Sequence, residues 1–283
     1  MDKETKVSLA AWLLSIILFA VKITAGLLSG SLAVLSDAFN SLTDIVSYLI
    51  VYISVKISGE APDADHPYGH RGAQPLAAFM VAVFQGILAF EIIRAAAGNL
   101  LFGHPAIAPT LFTFAALLFS IAVKSGMSYF LGRFGKELHS ASLRSISVDS
   151  RNDVLASSIA VLGLVGVLSG NDVFDDAAAI IIALYIGFSG WQIAKESVGY
   201  LMGASPPRET IERIRAASSS VPGVKKVEKV SAHYIGDRIH AEIEILLSRQ
   251  LKPEQTHRIG AEVQKAVESI EVVERAFIHI DYG

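Results

Sequence analysis

Cysteine is absent from the 283-residue chain. That excludes disulfides, thiolate metal sites and thiol redox chemistry together. Any metal would have to be held by His, Asp, Glu, Asn or backbone oxygens. Charge is also scarce: Asp, Glu, Lys and Arg make up 18 % of the residues, against about 25 % in soluble domains. There is no basic excess, the formal net charge being −3, so nothing points to nucleic acid. No internal repeat, phosphate-binding loop or nucleophile–base set is evident, which argues against an enzyme.

Apolar sequence is abundant. Hydrophobic residues make up 52 % and the mean hydropathy is +0.48. About 20 apolar residues cross the hydrocarbon layer as a helix. Six stretches qualify: 8–28, 32–57, 74–100, 108–131, 146–168 and 173–193. Ser29-Gly30-Ser31, Gly103-His104-Pro105 and Gly170-Asn171-Asp172 punctuate them. The polar start Met1–Lys6 is followed by no convincing cleavage site, so the first run is read as a retained helix. Lys3, Lys6, Lys56, Arg71, Arg133, Lys136, Arg144 and Lys195 all fall on one side of this pattern, and the opposite loops carry no Lys or Arg. Both termini are therefore expected to be cytoplasmic, in the plasma (bacterial inner) membrane.

Polar residues inside these runs carry the functional signal. Asn40 and Asp44 are four apart, as are Asp149 and Asp153, so each pair lies on one helical face. Ionisable groups at bilayer depth are costly and mark ion pathways. The four side chains together offer an all-oxygen site for a divalent cation. Lys22, Glu91, Arg94 and Lys124 also lie in apolar helices. Lys22 and Lys124 are read as pairing with carboxylates or snorkelling to an interface, and none of the four as a ligand. Asp175 and Asp176 are read as caps at the opening of the sixth helix. His104 and His139 are read as solvated loop residues.

After Ala204-Ser-Pro-Pro207 the composition becomes charged and amphipathic. The pattern predicts a helix over 208–220, strands over 224–234 and 238–247 joined by Ile235-Gly236-Asp237, a helix over 253–270 and a strand over 273–280. The expected architecture is a six-helix transmembrane domain over 1–204, followed by a small α+β domain over 205–283.

Three segments resemble the cation diffusion facilitator family: Ser31-Leu-Ala-Val-Leu-Ser-Asp-Ala-Phe-Asn-Ser-Leu-Thr-Asp44, Asp65-His-Pro-Tyr-Gly-His70 and Val148-Asp-Ser-Arg-Asn-Asp153. The likeness covers essentially the whole chain. It implies homodimeric exporters with a ferredoxin-like cytoplasmic domain that exchange a divalent metal for protons. The transport ligands it implies are Asn40, Asp44, Asp149 and Asp153. Relatives that look zinc-selective often have His at the first position of each pair. Oxygen ligands suit harder ions, so Mn²⁺ is favoured, then Fe²⁺ or Zn²⁺. Three neighbouring carboxylates require neutralisation by metal or protons, which is the expected basis of antiport.

The resemblance also implies a loop site at Asp63, His66 and His70, whose spacing brings them together if the third helix extends back through the loop. In the tail it implies a metal-binding and dimerisation site among His233, His240, His257, His279 and Asp281. Relatives lock protomers by a basic residue after the Gly-His pair; here that residue is Arg71, but the partner stretch 201–204 has no acid. The alternative class is a metal-binding membrane scaffold, or an iron transporter of the magnetosome type, that transports little itself.

Overall fold

The computed structural model describes residues 3–103, 106–137, 141–236 and 238–283. Long helices come first: α1 (Lys3–Ser29), α2 (Leu32–Ser58), α3 (Ala73–Phe102), α4 (Leu111–Glu137), α5 (Ala141–Leu168) and α6 (Val173–Leu201). Then come α7 (Arg208–Ser219), β1 (Lys226–Ile235), β2 (Arg238–Leu247), α8 (Pro253–Glu268) and β3 (Val273–Tyr282). Among the described residues, five of the six long helices are sufficiently long and apolar to cross a membrane; α2 is the sixth. The helices outrun their apolar windows, because a 27-residue helix is about 40 Å long against about 30 Å of hydrocarbon. The α4 start is later than the apolar pattern suggests. Pro109 precedes it, and Thr110 Oγ1 accepts from the Thr113 amide at 3.2 Å.

The chain forms two compact units, Met1–Ile50 with Met80–Ile193, and Val51–Phe79 with Ala194–Gly283. In the first, α4 packs closely on α5 and also on α1. Gly132 permits the α4–α5 approach, since a Cβ there would lie 2.9 Å from Ser147 Oγ. Ser128 and Ser147 exchange hydroxyl-to-carbonyl bonds across the same seam at 2.9 and 2.7 Å. Hydroxyls that return to backbone carbonyls are one way to satisfy polar groups without water.

Asp175 does not cap its own helix. It is fully buried and accepts from Ser31 Oγ at 2.5 Å, the Leu32 amide at 2.7 Å and the Ala33 amide at 3.3 Å. It therefore neutralises the positive end of α2, while Ser31 Oγ accepts from the Val34 amide at 3.1 Å. Asp176 accepts from Asn99 Nδ2 at 2.7 Å. The expectation of local capping is corrected: both carboxylates reach other helices, because water is scarce there and distant orphan donors need an acceptor.

In the second unit the tail forms a three-stranded sheet of order β1-β2-β3, with β1–β2 antiparallel and β2–β3 parallel. Its core is Ile239, Ala241, Ile243, Ile245 and Leu247 of β2 packed with Ile214 of α7 and Ile259, Val263 and Val267 of α8. Strict alternation in β2 sends His240 and Glu242 to the opposite face. Gly236 turns β1 into β2 at φ 64°, and its ideal Cβ would overlap the Arg71 carbonyl. A side chain is excluded there twice, by backbone strain and by contact. Asp237 lies outside the described residues.

Asp175→Ala should leave the α2 amides and Ser31 without their acceptor. The expected loss is about 1–3 kcal/mol, read as a lower thermal midpoint of the purified protein in detergent, with Asp175→Asn intermediate.

Candidate metal sites

The α2 and α5 quartets come together. Asn40, Asp44, Asp149 and Asp153 line one cavity of about 70 Å³, with Gln85 of α3, Asn152 of α5, and Tyr185, Ile186 and Ser189 of α6. Asn40 and Asp153 are buried, while Asp44 and Asp149 are partly exposed. Asn40 Nδ2 donates to Asp153 Oδ1 at 2.7 Å, and Asp44 lies within electrostatic reach of Asp149, Asp153 and Lys124. The four-residue spacing on each helix accounts for the pairing within a helix. Their meeting across 113 residues is tertiary.

Lys124 of α4 completes the group. Its ammonium forms an ion pair with Asp153 Oδ2 and reaches Ser15 Oγ at 3.4 Å. A second lysine is used differently. Lys22 lies 3.0 Å from each oxygen of Asp37 and donates to Ser41 Oγ at 3.1 Å, while Ser157 Oγ donates to Asp37 Oδ2 at 2.8 Å. Both members of that pair are fully buried. Neither lysine snorkels. Glu91 and Arg94 pair with each other at the surface of α3 through Arg94 Nε and Nη2. Sequence reasoning passed over Asp37, Gln85, Tyr185 and Ser189. Asp37 was accessible to it: it lies four before Ser41 and three before Asn40, on the polar stripe of α2.

The loop trio also assembles, but by a different route from the one expected. The third helix does not extend back; α3 begins at Ala73. Instead Asp63 Oδ1 accepts from the backbone amides of His66 at 2.6 Å and Asp65 at 2.9 Å, folding the loop on its own carboxylate. His66 Nδ1 lies 3.3 Å from Asp63 Oδ1, and His70 Nε2 lies 3.4 Å from Asp63 Oδ2. Donor atoms of the three residues lie within 4.8 Å of one another, the only such trio of His, Asp or Glu among the described residues. The His66 amide, ahead of all other causes, holds the Asp63 carboxyl below the usual carboxylate range. Arg71 forms an ion pair with Glu274 of its own chain. That pairing gives the arginine an acidic partner outside 201–204. His104 and His139 lie outside the described residues.

The tail candidates do not form one cluster within the chain. His233 faces His240 across β1–β2, ring centroids 6.1 Å apart. His279 Nε2 lies 3.5 Å from Asp281 Oδ1 further along the same sheet face, where Glu242 and Glu244 line the same concavity. His257 is exposed on α8, which covers the other face. The alternation of β3 sets His279 and Asp281 on one face, and His257, on α8, stays apart. His240 is only 5 % exposed, enclosed by Tyr68, Phe277 and His233. Burial first, then the charge of His233 and Arg275, holds its imidazole below the ordinary value against the opposing pull of Glu274. A lowered folded value means the unfolded chain binds the extra proton more readily, so protonation disfavours the fold. Stability should decline as pH falls below the ordinary histidine range and level off below the lowered value. His240→Gln should remove that portion of the dependence in thermal unfolding measured against pH.

The chain matches known proteins over nearly its whole length. Residues 8–202 match the model of the cation efflux transmembrane domain, and residues 206–282 match that of the cation efflux protein cytoplasmic domain. An uncharacterised transporter of Methanocaldococcus jannaschii is 33 % identical over 267 residues, 94 % of each chain. The manganese efflux system protein MneP of Bacillus subtilis is 28 % identical over 284 residues, covering 98 % of this chain and 95 % of that one. The magnetosome protein MamM of Magnetospirillum gryphiswaldense is 31 % identical over 254 residues, covering 89 % and 80 %. With six long helices, an oxygen-lined cavity among them and an α+β tail, this chain belongs to the cation efflux, or cation diffusion facilitator, family of metal transporters.

Proposed function

We propose that this transporter exports a divalent transition metal, Mn²⁺ before Fe²⁺ or Zn²⁺, in exchange for protons. The observation that carries the reading is the cavity lined by Asn40, Asp44, Asp149 and Asp153. It offers carboxylate and amide oxygens and neither imidazole nor thiolate, a donor set suited to harder ions. MneP, a relative named for manganese efflux, supports the same choice. Proton exchange follows from charge: carboxylates gathered in a low-dielectric cavity require neutralisation, so cation and protons compete for them.

The proposed topology puts both termini in the cytoplasm of a bacterial inner membrane, on the side to which the Lys and Arg residues of the loops are assigned. The boundary between transmembrane and cytoplasmic domains is proposed at 204/205, with the tail serving metal binding and homodimerisation. Asp63, His66 and His70 form a second, cytoplasmic metal site in this reading; their two imidazoles suit Zn²⁺. His233, His240, His279 and Asp281 present candidate ligands on one sheet face, His240 being buried there, and a second protomer would complete a site. The likeness to a magnetosome protein favours one alternative, a metal-binding scaffold with little flux of its own.

Flux into proteoliposomes separates these readings. Asp44→Ala or Asp153→Ala should reduce Mn²⁺ transport by at least about 100-fold, since even residues outside the ligand set cost 10–100-fold. Wild-type protein that binds Mn²⁺ without transporting it would establish the scaffold. Asn40→His should raise Zn²⁺ flux relative to Mn²⁺; an unchanged ratio would remove the oxygen-donor argument. Collapsing the proton gradient should stop uphill Mn²⁺ movement.

A further inference from the structure

Asp153 is the most deeply buried of the three cavity carboxylates, 1 % exposed, and both of its oxygens are engaged. Oδ1 accepts from Asn40 at 2.7 Å and Oδ2 meets the Lys124 ammonium. A divalent cation that takes Oδ2 competes with the ammonium there, because two cations at one oxygen repel. Cargo that engages Oδ2 thus pushes the lysine away, whereas Oδ1 is held only by the neutral Asn40 amide.

The surroundings of Lys124 provide places for it to go. Ser15 Oγ already lies 3.4 Å from Nζ. Ser120 is one turn before Lys124 on the same face of α4, fully buried, and its Oγ has no hydrogen-bond partner among the described residues. Side chains on a helix lean toward its N-terminus, which is the direction of Ser120. The sealed pair Lys22–Asp37 makes the contrast: there Ser41 and Ser157 satisfy the remaining positions and neither residue lines the cavity.

We propose that Lys124 is a tethered counter-cation. Its ammonium holds Asp153 between transport events, and incoming cargo displaces it toward Ser15 and Ser120. This rests on the cavity being the transport site. It adds a reason for divalent selectivity: once the protons have left, three carboxylates and one ammonium carry two net negative charges, the amount one divalent ion cancels. It also sets release, because the returning ammonium competes with the cargo from within the membrane.

The test is Mn²⁺ flux by the full-length protein in proteoliposomes, with equilibrium Mn²⁺ binding measured as the component that Asp44→Ala abolishes. Lys124→Met removes the competitor, so half-saturating Mn²⁺ should fall by about tenfold or more while the maximal rate drops. Lys124→Arg keeps the charge and should move half-saturation back toward wild type. Ser120→Ala removes a resting place for the displaced ammonium and should raise half-saturating Mn²⁺ by about threefold. Folded Lys124→Met protein with unchanged or weaker Mn²⁺ binding would overturn the proposal. Should Lys124→Met fail to fold, an unchanged half-saturation in Ser120→Ala would do so. Full flux in Asp44→Ala would instead sink the assignment of the cavity itself, whatever the lysine variants show.

Discussion

A buried carboxylate among apolar helices has to be compensated by protein groups, because the hydrocarbon provides no water to do it. Much of the first unit follows from that constraint. Asp37 is compensated by Lys22 and Ser157, Asp175 by the opening amides of α2 and Ser31, and Asp153 by Lys124 and Asn40. The first two arrangements are closed and tie helices together. The third opens on a cavity with two further carboxylates. An ion pair that is complete serves as a strut; one that borders a cavity with spare anionic capacity can exchange partners.

The second unit applies a different economy. Its loop trio is exposed or half-buried and needs no hydrocarbon-depth compensation. What it needs is a fixed turn, and Asp63 supplies that by accepting two backbone amides while presenting its oxygens to His66 and His70. The loop belongs to the same compact unit as the tail sheet. Tyr68 lies edge-on to His240, and Arg71 pairs with Glu274. A metal at the loop would therefore stiffen a segment already packed on the sheet that carries the tail histidines, the kind of linkage through which cation level biases a conformational equilibrium.

Much of this architecture was readable in the chain itself. The six apolar runs are interrupted at Gly30, Gly103 and Gly170, where positive φ lets the chain turn. The tail elements follow from the alternation of Ile239, Ala241, Ile243 and Ile245 and from the amphipathic run of α8. The quartets were visible as paired polar residues on single helical faces. The loop trio was named from the family resemblance and a helical spacing, whereas an aspartate-centred turn brings the residues together.

Residues close in sequence determined the spans, the strand alternation and the identity of the oxygen donors, because helix and strand periods are properties of consecutive residues. Tertiary structure alone decided which anion met which cation. Lys124 could have snorkelled, yet it pairs with Asp153; Asp175 could have capped α6, yet it caps α2, 143 residues away. Those choices depend on which helices become neighbours. In a medium of low dielectric, the cost of any uncompensated charge makes that long-range pairing outweigh local preference.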